Sequence, residues 1–295
     1  VTWIFRIFLT SISILPFPVL HFLSSISSVF LGRVFRYRRS IVLDNLGHSF
    51  PEKSNREIKV IADKFYLHLC DVIFETIKML TMSKAELKRR VRPVNPEVFP
   101  EMTPGGQGGI GILSHYANWE WLGAGMGCHL SSATCGIYKA QSGKAADKLL
   151  LHIRTRFGNR MIEKKSSVRE ILKGLKEPTY FGILGDQNPT PGQPMYFTDF
   201  LGRAAPVEPG IASLALQTGR PVYFSRMKRG RRGFYEVFLE RLPIENYLPK
   251  SDENVRRFTD LHVRMLEEMI RAKPEYWLWS HRRWKHQPEK VRESD

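Results

Sequence analysis

The chain has 295 residues and a formal charge of +16, with 45 Lys and Arg against 29 Asp and Glu. That length suits one large α/β domain, and the positive balance calls for an acidic partner, whether nucleic acid, anionic lipid headgroups or an acidic carrier protein. Cys70, Cys128 and Cys135 form no C-x-x-C pair, which excludes a disulfide framework and a zinc ribbon and suits a reduced cytosolic setting.

Residues 7–31 contain no Lys, Arg, Asp or Glu, a length that reaches the roughly 20 residues needed to cross a bilayer core. Pro16, Pro18, His21 and several serines suit a kinked or shallow anchor as well as a clean span. The cluster Arg33, Arg36, Arg38, Arg39 follows the apolar run rather than preceding it, unlike a signal peptide, and the positive-inside rule then places the remainder in the cytoplasm. A buried core helix is the rival reading. We therefore expect a hydrophobic anchor helix over 1–32 and a catalytic domain over 33–295, made of a helical lead-in (33–92) and an α/β core (93–295).

Residues 55–80 carry apolar side chains at helical spacing (Ile58, Ile61, Phe65, Leu69, Val72), with Ser54 and Glu57 as a capping box. A basic helix over 82–92 ends at Pro93. A Gly-rich turn then leads to a strand at 110–113, a helix at 118–130, a strand at 134–138 and a helix at 144–157. A short strand near 161–162, a helix at 167–175, a buried strand at 179–184 and a helix at 209–218 follow. Strands at 222–227 and 235–242 read as an antiparallel hairpin at one sheet edge, and a helix at 254–272 comes last. Alternating strands and helices predict a mixed, mostly parallel central sheet flanked by helices.

His115 directly follows the strand at 110–113, where α/β sheets collect functional groups. Asn118 is placed to cap the next helix, and Glu120 falls in its first turn. Positions five apart diverge on a continuous helix, but across a strand-to-helix turn they can converge. One His115 ring nitrogen would then face a substrate hydroxyl while the other donates to Glu120, a general base with its orienting acid. The helix N-terminus would favour a developing oxyanion. A chance His with a Glu five residues on is the competing reading.

This His115-x4-Glu120 spacing resembles the H-x4-D/E motif of the lysophospholipid and glycerolipid acyltransferase superfamily. Further blocks resemble, in order, the lipid A late (secondary) acyltransferases of Gram-negative bacteria. These are Asn45-Leu46 through Phe50-Pro51-Glu52, then Arg154-x-Arg156-Phe157-Gly158, then Gly185-Asp186-Gln187 with Asp199-Phe200-Leu201-Gly202 and Ala205. The last is Pro274-Glu275-Tyr276-Trp277-Leu278-Trp279 with His281-Arg282-Arg283-Trp284-Lys285. The likeness covers nearly the whole chain. Phe200-Leu201 stands where the family often has two phenylalanines, and Tyr138-Lys139 matches its second-strand block loosely.

The resemblance implies a glycerolipid acyltransferase-like fold at the bacterial inner membrane, with the catalytic domain on the cytoplasmic face. It implies transfer of a fatty acyl chain from an acyl carrier protein thioester, or alternatively acyl-CoA, to a hydroxyl of a lipid A precursor, with no metal or cofactor. Substrate-binding candidates are Asn118, Tyr138, Lys139, Arg154, Arg156, Asp186 and Gln187. Asp186 either orients the acceptor or the catalytic region, or opens the turn at 188–192. Arg154 and Arg156 either fork onto acceptor phosphates or serve as helix-end dipole partners. The aromatics Trp277, Trp279 and Trp284 either pack on the domain or sit near the headgroup layer. Gly123-x-Gly125-x-Gly127 lies inside a helix and is no dinucleotide fingerprint. The competing classes are an acyltransferase for another lysolipid or aminolipid, a hydrolase using the same dyad on water, and a basic nucleic-acid-binding protein. The last is supported by charge alone and opposed by the apolar N-terminus.

Overall fold

A computed structural model describes residues 2–102, 106–130, 134–140, 143–190, 192–286 and 288. The apolar N-terminus breaks into two helices, α1 (Thr2–Ile14) and α2 (Phe17–Val29), because Pro16 and Pro18 interrupt the ladder between them. Lys78 Nζ donates to the carbonyls left over at that break, 2.8 Å from Ser13 O and 2.9 Å from Leu15 O. A π-turn over Phe30–Val34 extends α2, and Phe17–Val34 is an 18-residue stretch long and apolar enough to cross a membrane. α2 buries its polar side, with Leu20, His21, Ser24 and Ser28 packed inward, while Val19, Phe22, Ile26 and Val29 are exposed.

Next come α3 (Arg39–Ser49) and the long α4 (Asn55–Lys78). The capping box of α4 forms as expected: the Glu57 N–H donates to Ser54 Oγ at 3.3 Å, and the Ser54 N–H to Glu57 Oε2 at 2.8 Å. One face of α4 buries Ile58, Ala62, Phe65 and Leu69. Its later turns bury Asp71 and Glu75 beneath α2.

The basic helix expected over 82–92 is shorter. α5 covers Lys84–Arg90, and Val91–Pro93 is strand β1. The residue before a proline is pushed toward extended backbone, and proline is tolerated on an edge strand. β1 pairs in parallel with β9, so the expected C-terminal hairpin does not form the sheet edge itself. After the short α6 (Phe99–Met102), the core elements are β2 (Gly109–Leu113), α7 (Trp119–His129), β3 (Thr134–Tyr138), α8 (Lys144–Thr155), β4 (Asn159–Glu163), α9 (Ser167–Lys173) and β5 (Tyr180–Leu184). Then come β6 (Tyr196–Phe200), β7 (Arg203–Val207), α10 (Gly210–Thr218), β8 (Val222–Arg229), β9 (Tyr235–Leu242) and α11 (Asp252–Ala272).

The seven-stranded sheet runs β1-β9-β8-β2-β5-β3-β4, parallel except where β8 meets β9. β6 and β7 form a separate two-stranded hairpin that the sequence reading did not anticipate. Its turn holds Leu201 (φ 56°) and Gly202 (φ 76°) in the left-handed region, the conformation two-residue hairpins need. The non-Gly first position hides that signal.

β5 lies between β2 and β3, so right-handed crossovers put α7 and α8 on one face of the sheet and α9 and α10 on the other. β3 pairs with β5 only over Thr134–Gly136; Ile137 and Tyr138 pair with β4 alone. The sheet therefore parts between β3 and β5 at its carboxyl end.

Candidate active site

β2 and β5 are in parallel register with Leu113 opposite Leu184. Two residues further, His115 and Asp186 leave the two strand ends side by side. His115 Nδ1 lies 2.7 Å from Asp186 Oδ1, and the His115 backbone N–H donates to Asp186 Oδ2 at 2.9 Å. Trp277 Nε1–H donates to the same Oδ2 at 2.9 Å. Burial pushes the Asp186 carboxyl up, but the His115 imidazole and these donors outweigh it and hold the group below its usual range. An ionised Asp186 accepts the Nδ1 proton, which leaves His115 Nε2 with its lone pair. Among the described residues, its hydrogen-bond partner is the Gln187 amide, at 3.1 Å.

The turn carrying His115 is fixed by the C-terminal segment. The Ala117 N–H donates to Tyr276 O at 2.9 Å, and the Leu278 N–H to His115 O at 3.1 Å. Ala117 sits at φ 51°, a left-handed conformation costing a non-glycine residue about 1–2 kcal/mol, and such strain collects at functional sites. Trp277, Trp279 and Trp284 are all buried, with ring centroids 4.8 Å apart for the first two. Of their two expected roles, packing on the domain is the one observed.

Asn118 caps α7 as expected, its Oδ1 accepting the Trp121 N–H at 2.9 Å. Its Nδ2 donates to Glu75 Oε2 at 2.6 Å and the side chain is fully buried. The cap is thus satisfied from inside the protein, and Asn118 does not line the cavity on which His115 opens. Glu120 does not take the His115 proton position expected of it. Both its oxygens are held by the Arg154 guanidinium, at 2.5 and 2.8 Å. The first turn of α7 points Glu120 toward α8, where Arg154 projects, whereas Asp186 reaches His115 through strand register.

Glu120, Arg154, Tyr138, Lys139, Gln187 and His115 all line one cavity of ≈ 740 Å³. Its walls also include the apolar Leu113, Met126, Ile137, Ile183 and Leu214. Arg156 is elsewhere. Its Nη1 donates to Met79 O and, at 3.4 Å, to Met82 O. It caps the end of α4, so the helix-end reading holds in kind but for a helix other than its own. The part missed from sequence is the Asp186–His115 pairing with Trp277 behind it. Its one available sign was that both residues end apolar strands.

Residues 1–286 match the family described as bacterial lipid A biosynthesis acyltransferase. A lipid A biosynthesis acyltransferase of Haemophilus influenzae is 21% identical over 280 residues, spanning 94% of this chain and 85% of that protein. A lipid A biosynthesis lauroyltransferase of Escherichia coli is 24% identical over 280 residues, spanning 94% and 89%. With an open imidazole at the sheet's carboxyl end and a family match along nearly its whole length, the chain belongs to the bacterial lipid A biosynthesis acyltransferases.

Proposed function

We propose that the protein transfers a fatty acyl chain from an acyl carrier protein thioester to a hydroxyl of a lipid A precursor, on the cytoplasmic face of the bacterial inner membrane. The observation that carries this is His115, tied through Nδ1 to a buried carboxylate while Nε2 opens on a cavity lined by both polar and apolar side chains. At ≈ 740 Å³ it falls within the roughly 300–1,000 Å³ typical of small-ligand sites. The acceptor hydroxyl replaces the Gln187 amide at Nε2 and gives up its proton as its oxygen attacks the thioester carbonyl. Asp186 stabilises the imidazolium. The C–O bond forms, the C–S bond breaks, and the imidazolium proton passes to the departing thiolate, leaving an ester and a free thiol.

Start-of-helix dipoles in α7 favour the oxyanion. Arg154 and Lys139 bring positive charge to the cavity for an acceptor's phosphates, with Glu120 fixing the Arg154 fork. The exposed apolar side of α1 and α2 supports attachment to the membrane. The test incubates detergent-solubilised protein with dodecanoyl-carrier protein and a lipid A precursor and follows the lipid's mass. Gain of one acyl chain by the wild type, lost in His115→Ala, is expected. Free fatty acid as the product, or undiminished transfer by His115→Ala, overturns the reading.

A further inference from the structure

The cavity is walled from both faces of the sheet. α7 and α8 supply Trp119, Glu120 and Arg154, and α9 and α10 supply Val168, Ile171 and Ile211. One continuous space can reach both layers where β3 parts from β5 beyond Gly136. The two sides have different surroundings. α1 and α2 pack on α4, which packs on α7, and α1 runs close enough to α8 for the Arg6 charge to act on His152. The apolar helices therefore lie on the α7–α8 side, and α9 is across the sheet from them.

The outward side of α9 has an unusual make-up. Within α9, Val168, Arg169, Leu172 and Lys173 fall at i, i+1, i+4 and i+5 as a stripe along one side of the helix, and Lys165 stands just before them in the 3-10 turn Lys164–Ser166. In a surface helix apolar residues four apart normally face the core. Here Ile171 is the buried residue, and the stripe faces solvent, with Val168 58% and Leu172 36% exposed. The side chains of Lys165, Arg169 and Lys173 are 78%, 71% and 66% exposed. Their local partners are Glu163, 3.0 Å from Lys165, and a single Glu170 at 3.4 Å from Arg169 and 3.6 Å from Lys173. Across residues 163–177, Lys164, Lys165, Arg169, Lys173 and Lys176 stand against Glu163, Glu170 and Glu177, and Lys164 is paired with Glu208 at 2.7 Å. Val168 belongs to both the stripe and the cavity wall.

We propose that this face of α9 is the docking surface for the acidic carrier protein that delivers the acyl thioester, which enters from the α9 side while the lipid acceptor enters from the α7–α8 side. The proposal rests on the carrier-thioester reading above. A small apolar centre ringed by like charges fits a folded partner of opposite sign, because charge steers the encounter and the apolar pair is desolvated on contact. A flat membrane already engaged by α1 and α2 does not reach across the sheet.

The test compares full-length wild type with Lys165→Glu/Arg169→Glu/Lys173→Glu, using dodecanoyl-carrier protein and dodecanoyl-pantetheine as donors. For the variant, a rise in KM for the carrier-borne donor of about tenfold or more is expected, with kcat and the pantetheine reaction unchanged. The wild-type KM for the carrier should climb with salt, and the variant's should not. Lys165→Gln/Arg169→Gln/Lys173→Gln, which introduces no new repulsion, should show a smaller rise and serves if the Glu variant fails to fold by circular dichroism. Unchanged KM for the carrier in a folded variant overturns the proposal. Loss of binding to phosphatidylglycerol vesicles with carrier KM intact also overturns it and makes the face a membrane contact. A wild type that uses dodecanoyl-pantetheine but never the carrier thioester instead sinks the donor reading itself.

Discussion

Two buried clusters in this protein each pair a carboxylate with a histidine and end in opposite states. Under α2, Asp71 accepts from Ser24 Oγ at 2.6 Å, from Arg229 at 2.7 Å and from Arg232 through both oxygens. Glu75 holds His21 at 3.1 Å, Asn118 at 2.6 Å and the Tyr235 hydroxyl at 2.7 Å. Every carboxylate oxygen there is taken by protein, and the cluster ties the apolar N-terminus, α4, α7 and the β8–β9 hairpin together. At the strand ends, Asp186 is also buried and well partnered, but the histidine it holds keeps one nitrogen toward a cavity. A buried carboxylate with a histidine thus marks a site only when the chain of hydrogen bonds ends in open space. Closed on itself, it is a fastening.

That contrast can be broken by substitution. His115→Ala should lower transfer by about 10²–10⁴-fold, the range for a general base, and cost less stability than loss of Asp71, because the backbone N–H at 115 and the Trp277 N–H still hold Asp186. Asp71→Ala should do the reverse, costing about 3–5 kcal/mol in urea denaturation because Arg229 and Arg232 lose their buried partner, with residual folded protein still active. If Asp71→Ala melts normally, the closed cluster is no fastening. Asp186→Asn should lower kcat by about 10²-fold, since the amide no longer fixes the Nδ1–H tautomer. Glu120→Gln should cost about tenfold, mostly in the acceptor's KM, by loosening Arg154. The opposite ranking in the same assay, Glu120→Gln crippling and Asp186→Asn mild, would return the orienting role to Glu120.

The smallest effect concerns pH. Burial pushes His68, His262 and His281 from 6.5 down to about 4. Each stays neutral in the fold while the unfolded chain takes up a proton below about pH 6.5. Their contribution is therefore complete above that pH and is lost as pH falls through the window down to about 4. Nε2 of His262 has no hydrogen-bond partner among the described residues. His262→Leu should change stability at pH 7 by no more than about 1 kcal/mol. It should make the acid loss between pH 6.5 and 4 visibly shallower in denaturation midpoints.

Local chemistry was legible in the sequence wherever a few neighbouring residues decide the outcome. The Ser54–Glu57 capping box, the Asn118 cap and the place of His115 after a strand are all of that kind. What stayed hidden depends on strand order. Nothing between His115 and Asp186, 71 residues apart, indicates that β5 inserts next to β2, so the nearer carboxylate, Glu120, attracted the assignment. Arg156 misled for a similar reason, because its target carbonyls at Met79 and Met82 come from the far side of the chain. β1 and the β6–β7 hairpin were obscured by short length and by turn residues that break the usual glycine pattern.

The backbone bonds from residues 276–278 to the turn at 115–117 also bear on how the enzyme comes into being. During synthesis the turn emerges long before the segment that fastens it and before the indole that steadies Asp186. A nascent chain halted before Tyr276 therefore has both His115 and Asp186 in its sequence, but lacks the backbone bonds that fix the His115 turn and the indole donor to Asp186. The His115 turn is complete only once the aromatic stretch at 276–278, some 160 residues further along the chain, has folded back against it.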